Sequence, residues 1–319
     1  MNALRGRLGD NPAIVLTFVF VSIFIATDIV NRAQVGRAFV TPKQVSTTFL
    51  YAAVLGLIAA GQTLVMLTGG VDLSVATTAT AAAFMISSFG THGSALAILI
   101  AIGVGLGIGL VNGIGVAIFR VNALIMTLGV STITLGALTI YSQKRFVSLV
   151  PDLVVTLGSK RFLTYIPYDL LVWLPIAALI ILGLRYSGIG RMIYAVGDNP
   201  VACRLAGVRV WQPLLFVYAA CGALSAAAGI LLVGFNNAAD LGIAAPFLLP
   251  SVAAVVIGGT SIFGGLGGYA GTILGALILT VLDSLLTILN ASQATRQILY
   301  GLIVLALAAI YARTTAAAD

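Results

Sequence analysis

The chain contains no glutamate, only three lysines, two cysteines and a single histidine among its 319 residues. Each shortage excludes something. A standard ATP-binding loop needs a lysine within G-x-x-x-x-G-K-[ST], and Lys43, Lys144 and Lys160 all lack that context. The chain therefore has no ATP site of that kind. Cys203 and Cys221 have no metal-ligand spacing, and a disulfide between them is not expected, since one falls in a loop and the other in an apolar run. His92 stands alone in a short loop. With no nucleophile–base constellation and no metal spacing, an enzyme is the least supported class, and neither cofactor nor metal is expected. Charge is scarce as well. Charged residues make up 8% of the chain, against about 25% in a soluble domain. The 16 Lys and Arg outweigh nine acids, for a net charge of +7. The basic residues are scattered singly, which suits loops facing anionic lipid headgroups and argues against nucleic acid.

What is abundant is apolar. Hydrophobic residues reach 60% and the mean hydropathy is +1.14. The long runs are helical in kind, not the ten-residue alternation of an outer-membrane barrel. The expected fold is an all-α integral membrane protein forming one domain over 1–319. About ten spans are expected, near 12–30, 46–68, 73–90, 94–118, 121–141, 168–185, 213–235, 246–263, 266–290 and 296–312. Arg5 and Arg7 precede the first run, and no small-x-small site follows it, so it reads as an uncleaved span. An even count puts both termini on one side, expected to be the cytoplasm. Eight cations fall on each side, so positive-inside bias alone does not orient the chain.

The most informative interruption is Leu67-Thr-Gly-Gly-Val-Asp-Leu-Ser74. Gly69 and Gly70 let the backbone leave a helix, and a new helix can restart at Asp72. An isolated charged Asp at mid-helix costs about 2.5–3.5 kcal/mol on insertion scales. Two readings stand. Asp72 caps the restarted helix by accepting from the amide of Ser74 or Val75, or it contacts a solute or acts as a gate. Broken helices at membrane depth are a feature of transporters.

A second interruption lies in residues 186–212. Asn199 suits an N-cap, Pro200 the first helical position, and Gly207 the position just past the end. These residues predict a two-turn helix, with Asp198 before it and Ala202, Arg204 and Leu205 within it. Two turns are not stable alone, so this helix packs on its own protein or docks into a soluble partner.

Four blocks give the chain a resemblance to a known family. They are Thr68-Gly-Gly-Val-Asp-Leu-Ser74; Val111-Asn-Gly113 through Arg120-Val-Asn122 to Thr127-Leu-Gly129; Ala195-Val-Gly-Asp-Asn-Pro to Ala206-Gly207; and Ala253-Ala-Val-Val-Ile-Gly-Gly-Thr-Ser261 with Gly264-Gly265. In this order they resemble the permeases of bacterial ABC importers of the ribose type, within the branched-chain amino acid/ribose permease superfamily. The resemblance runs from about Leu57 to Ile310. It implies a permease of the inner membrane that imports a monosaccharide or related small polar solute. It implies as partners a second permease copy or paralogue, two cytosolic ATP-binding subunits and a periplasmic substrate-binding protein. The helix at Asn199–Gly207 would be the coupling helix seated on the ATPase. Two inverted halves are implied, about 46–141 and 213–312, joined through the cytoplasmic loop 186–212. The joint at Asp72 would answer to Asn236–Leu241. The chain also departs from the family, with Ala123 where many members carry Pro, and Leu248 and Pro250 where many carry acids.

Other residues complete the expectations. Gly105, Gly109 and Gly113 share one helical face and read as close packing. Gly258, Gly259, Gly264 and Gly265 form a hinge or tight turn near the cytoplasmic face. Asp283 within the ninth span, and Asn112, are pathway candidates. Trp173 and Trp211 read as interface anchors. The alternative function is a secondary carrier in which Asp72 and Asp283 bind a proton or cation, with no ATPase required.

Overall fold

The computed structural model describes residues 12–144, 149–162 and 166–316. Among these residues there is no strand beyond one isolated bridge, Arg161 to Pro167, and helices dominate. Seven are long and apolar enough to cross a membrane. They are α1 (Pro12–Val35), α2 (Pro42–Leu67), α4 (Ser94–Ala117), α5 (Ala123–Lys144), α7 (Tyr168–Tyr186), α10 (Trp211–Asn236) and α12 (Tyr269–Ile288). The remaining helices are α3 (Val75–Phe89), α6 (Asp152–Ser159), α8 (Gly188–Asp198), α9 (Pro200–Leu205), α11 (Leu248–Ile257) and α13 (Gln293–Ala316). All ten expected spans correspond to helices; the three outside the seven are α3, α11 and α13, of which α3 and α11 are short. The expected span 246–263 holds a 3-10 turn, Ala245–Phe247, and only ten α-helical residues in α11. At 1.5 Å per residue these cover about 15 Å, half the hydrocarbon thickness. The 15 residues of α3 cover about 22 Å. Each short helix follows a broken joint.

The core is built around α2 and α10. In the most apolar stretch of α2, 94% of residues are buried inside the protein, against 6% for α1. Helix α2 starts where Thr41 accepts the Gln44 amide at 3.3 Å and Pro42 occupies the first turn. Small residues then let its neighbours close in. A Cβ on Gly61 would lie 2.7 Å from Cys221 Sγ of α10. Gly105 and Gly109 of α4 meet the α10 backbone at Gly222 and Tyr218, and Gly113 meets Leu215. The four-residue glycine spacing is thus a packing face, while a Cβ on Gly103 or Gly107 would meet nothing within 4 Å among the described residues.

Two expectations need correction. Trp173 is not an interface anchor: it is 2% exposed, fills the space left by Gly56, and donates from Nε1 to the Tyr269 hydroxyl at 2.7 Å. An indole with an internal acceptor has no need of the headgroup layer. Trp211 is exposed, as an anchor would be. Residues 188–198, read as loop, form α8. Ser187 caps it by accepting the Gly190 amide at 2.9 Å. Its three glycines weigh against helix on propensity. Gly190 is packed so closely on the Gly183 and Leu184 carbonyls that a larger residue would not fit, and tertiary contact overrides the propensity.

Candidate functional site

The short helix α9 forms as its residues dictate. Asn199 Oδ1 accepts the amides of Val201 at 3.0 Å and Ala202 at 2.9 Å. Pro200 occupies the first turn, where its missing N–H leaves no orphan donor. At the other end Gly207 has φ +81°, Val208 N donates to Cys203 O at 2.9 Å, and Gly207 N donates to Arg204 O at 3.1 Å. This pair of bonds closes the helix in a Schellman turn. Of the helix, only Cys203 is buried against the protein. Pro200, Val201, Ala202, Arg204 and Leu205 all face outward, and Leu205 is 86% exposed. A leucine so placed, with Val201 one turn away and Arg204 beside it, is an apolar tip, uncovered among the described residues, with a cationic flank.

Three segments that the sequence separates meet directly behind α9. Gly197, at the end of α8, lies against the Leu67 carbonyl that closes α2, with no room for a Cβ. Gly265 N donates to the same Leu67 carbonyl at 3.0 Å. A Cβ on Gly264 would sit 2.7 Å from Gly197 O and 2.9 Å from Gly69 N, and one on Gly265 would touch the Asp198 backbone at 3.1 Å. Gly69, Gly259, Gly264 and Gly265 all have positive φ, and the turn is tied by Ser261 N to Leu266 O at 2.9 Å. Tyr194 of α8 donates to Gly267 O at 2.9 Å. Burial raises the Tyr194 pKa, which holds its hydroxyl in the donor form. The glycines 264 and 265 thus form a tight turn locked to α8. Gly258 is a contact point of a different sort, packed on Gly271 and Thr272 of α12.

The joint itself is a buried polar knot. Asp72 is 1% exposed. Its Oδ1 accepts from Ser74 N at 2.8 Å and Ser74 Oγ at 2.6 Å. Asn112 Nδ2 donates to Ser74 Oγ at 2.8 Å. Gln62 of α2 pairs with the Asp72 backbone through both amide atoms, Nε2 to Asp72 O at 3.0 Å and Asp72 N to Oε1 at 3.1 Å. Thr127 Oγ1 accepts the Leu73 amide at 3.0 Å. The capping expectation is refined: the residue at the N-cap of α3 is Ser74, with no side-chain cap, and Asp72 acts two residues earlier by an Asx turn. Gly70 leaves space for the Tyr218 hydroxyl. In this conformation Asp72 faces the protein interior.

Asp283 lies elsewhere, near the far end of α12. Arg296 Nη1 reaches its two oxygens at 3.2 and 3.3 Å, and Tyr300 donates to Oδ1 at 2.8 Å. The three border a cavity of about 260 Å³. Sequence reading missed Gln62, Gly197, Tyr194, Arg296 and Tyr300. Gln62 had a signal, as a lone amide in an apolar run. Arg296 had none, because it comes 13 residues after its partner and reads as a loop cation.

The comparisons agree with this architecture. Residues 44–308 match the model of the branched-chain amino acid transport system / permease component family. The fructose import permease protein of Rhizobium meliloti is 30% identical over 321 residues, covering 97% of this chain and 88% of that protein. The ribose import permease protein of Escherichia coli K12 is 35% identical over 263 residues, with 79% and 80% covered. The L-arabinose transport system permease protein of the same strain is 32% identical over 307 residues, with 94% and 90% covered. No solved structure matches the chain. A glycine-locked junction behind an exposed two-turn helix, in an all-α membrane protein matched over 265 residues, leads to one conclusion: the chain belongs to the branched-chain amino acid transport system / permease component family.

Proposed function

We propose that this chain is the permease subunit of an ATP-driven importer for a monosaccharide or related small polar solute, working by alternating access. Separate cytosolic subunits bind and hydrolyse ATP. A second permease, either a copy or a paralogue, pairs with it in the bacterial inner membrane, and a periplasmic protein delivers the solute. Both termini lie in the cytoplasm, and the halves about 46–141 and 213–312 are inverted copies joined through the loop 186–212. The names of the fructose, ribose and arabinose permeases support the solute class.

The observation that carries the reading is the pairing of α9's exposed tip with its rigid seat. Leu205 protrudes with nothing among the described residues to cover it. Behind it, Gly197, Leu67 and Gly265 meet backbone to backbone, so a push on α9 reaches the α2–α3 joint and the 258–268 turn without passing through a flexible side chain. A partner seated on α9 moves both together. The pairing of Asp283 with Arg296 weighs against the secondary carrier, since a coupling cation would have to compete with the guanidinium for the carboxylate.

The test replaces Asn199 and Pro200 together by glycine in the assembled transporter. Both capping bonds and the preset first turn are lost. ATP-driven sugar uptake in reconstituted vesicles is expected to fall at least tenfold, with membrane insertion intact. Unchanged uptake would falsify the coupling role of α9.

A further inference from the structure

The cavity bordered by Asp283 lies at the end of the molecule remote from α9. Helix α10 begins shortly after α9 and runs 26 residues, about 39 Å, to Asn236 at the cavity wall. The cavity's chemistry is mixed. On one side Tyr51 stacks on Phe247, with ring centroids 6.2 Å apart and 23° between planes, and Tyr51 and Phe235 form a T-shaped pair at 5.7 Å. On the other, Asp283 is held in place. Arg296 is itself fixed, since its Nε and Nη2 both donate to Ala291 O, at 3.3 and 3.2 Å. Asp283 Oδ1 has two donors, but Oδ2 has only Arg296 and keeps a free lone pair. Three further polar side chains line the space without a hydrogen bond of their own among the described residues: the Tyr51 hydroxyl and the amides of Asn236 and Gln293.

The geometry points to a binding subsite for an uncharged, polyhydroxylated ring, a monosaccharide, with Tyr51 and Phe247 as the platform and Asp283, Asn236 and Gln293 as its hydroxyl partners. This rests on the importer reading above and names where the solute is held. A cavity of 260 Å³ is below the 300–1,000 Å³ typical of drug-sized ligands, which suits a single sugar ring. The ion pair makes the wall formally neutral, so a charged ligand gains nothing net from it. A hydroxyl gains the oriented oxygen of Asp283, and amides serve as donor and acceptor at once. Tyr51 and Phe247, both on the lining, offer aromatic carbon for the C–H side of the ring.

The experiment uses the full-length chain in lipid nanodiscs and saturation-transfer NMR, which reads millimolar binding. The probes are D-ribose, D-fructose, L-arabinose and, as the contrast, L-leucine. At least one sugar is expected to receive saturation, with leucine receiving none. Tyr51→Ala and Asp283→Asn are each expected to cut the sugar signal at least fivefold, while Tyr51→Phe, which keeps the ring, retains it. Tyr51 is partly exposed, so its alanine variant reads out even where Asp283→Asn is unstable. Saturation of leucine alone, or a sugar signal that survives both Tyr51→Ala and Asp283→Asn, overturns the subsite. Sugar uptake by the assembled transporter without sugar binding in this cavity overturns the subsite and leaves the importer reading standing. Sugar binding here without ATP-driven uptake by the assembly does the reverse.

Discussion

Asp72-Leu73-Ser74 and Asp240-Leu241-Gly242 are built alike and used differently. In each, the aspartate Oδ1 accepts the amide two residues on, at 2.8 Å in the first and 2.6 Å in the second. Each follows a 26-residue helix and precedes a short one. Their surroundings differ. Asp72 is enclosed by Gln62, Thr127 and Asn112, and its joint is welded to the seat of α9. Asp240 is exposed, and its joint runs on through Ile243, Pro246 and Phe247 into the cavity wall. The same local turn thus serves as a fixed node at one end of the molecule and as a solvent-facing segment at the other. Local sequence sets the turn, and the company each turn keeps sets its stiffness.

Three substitutions break or sharpen this contrast. The largest effect is expected from Gln62→Leu, which strands both the amide and the carbonyl of Asp72 in a buried site. Each costs about 1–3 kcal/mol, so thermal unfolding of the purified chain should show a drop of several degrees. Asp72→Ala is expected to cost about 1–3 kcal/mol, because Ser74 loses its acceptor where water cannot replace it. Asp240→Ala removes the same hydrogen bond at an exposed position, and its effect should stay within about 0.5 kcal/mol. Equal losses from Asp72→Ala and Asp240→Ala would erase the distinction between node and segment.

Much of this was legible in the sequence. Asn199, Pro200 and Gly207 named both ends of α9 because caps are local chemistry, decided within four residues. The glycine face of α4 was equally readable from its spacing. The backbone junction was not. Gly69, Gly197 and Gly264 lie in three distant segments, and nothing in a lone glycine says which carbonyl it will meet. Helix α8 was hidden for the same reason, since its glycines count against helix until their neighbours are known. The Asp283–Arg296 pair escaped because the turn at Asn290, with φ +55°, brings the start of α13 back over the end of α12. The half-length of α11 was masked by the apolar residues Ile243 to Phe247 that run into its start.

Cys203 gives the junction a built-in reporter. It is the one residue of α9 that faces the protein, at 8% exposed, and the other thiol, Cys221, is sealed in the core. A maleimide added to the wild-type chain therefore has one site whose reactivity depends on whether α9 is seated. On the importer reading proposed above, a low and unchanging alkylation rate through the ATP cycle is the expected sign that α9 and its seat move as one.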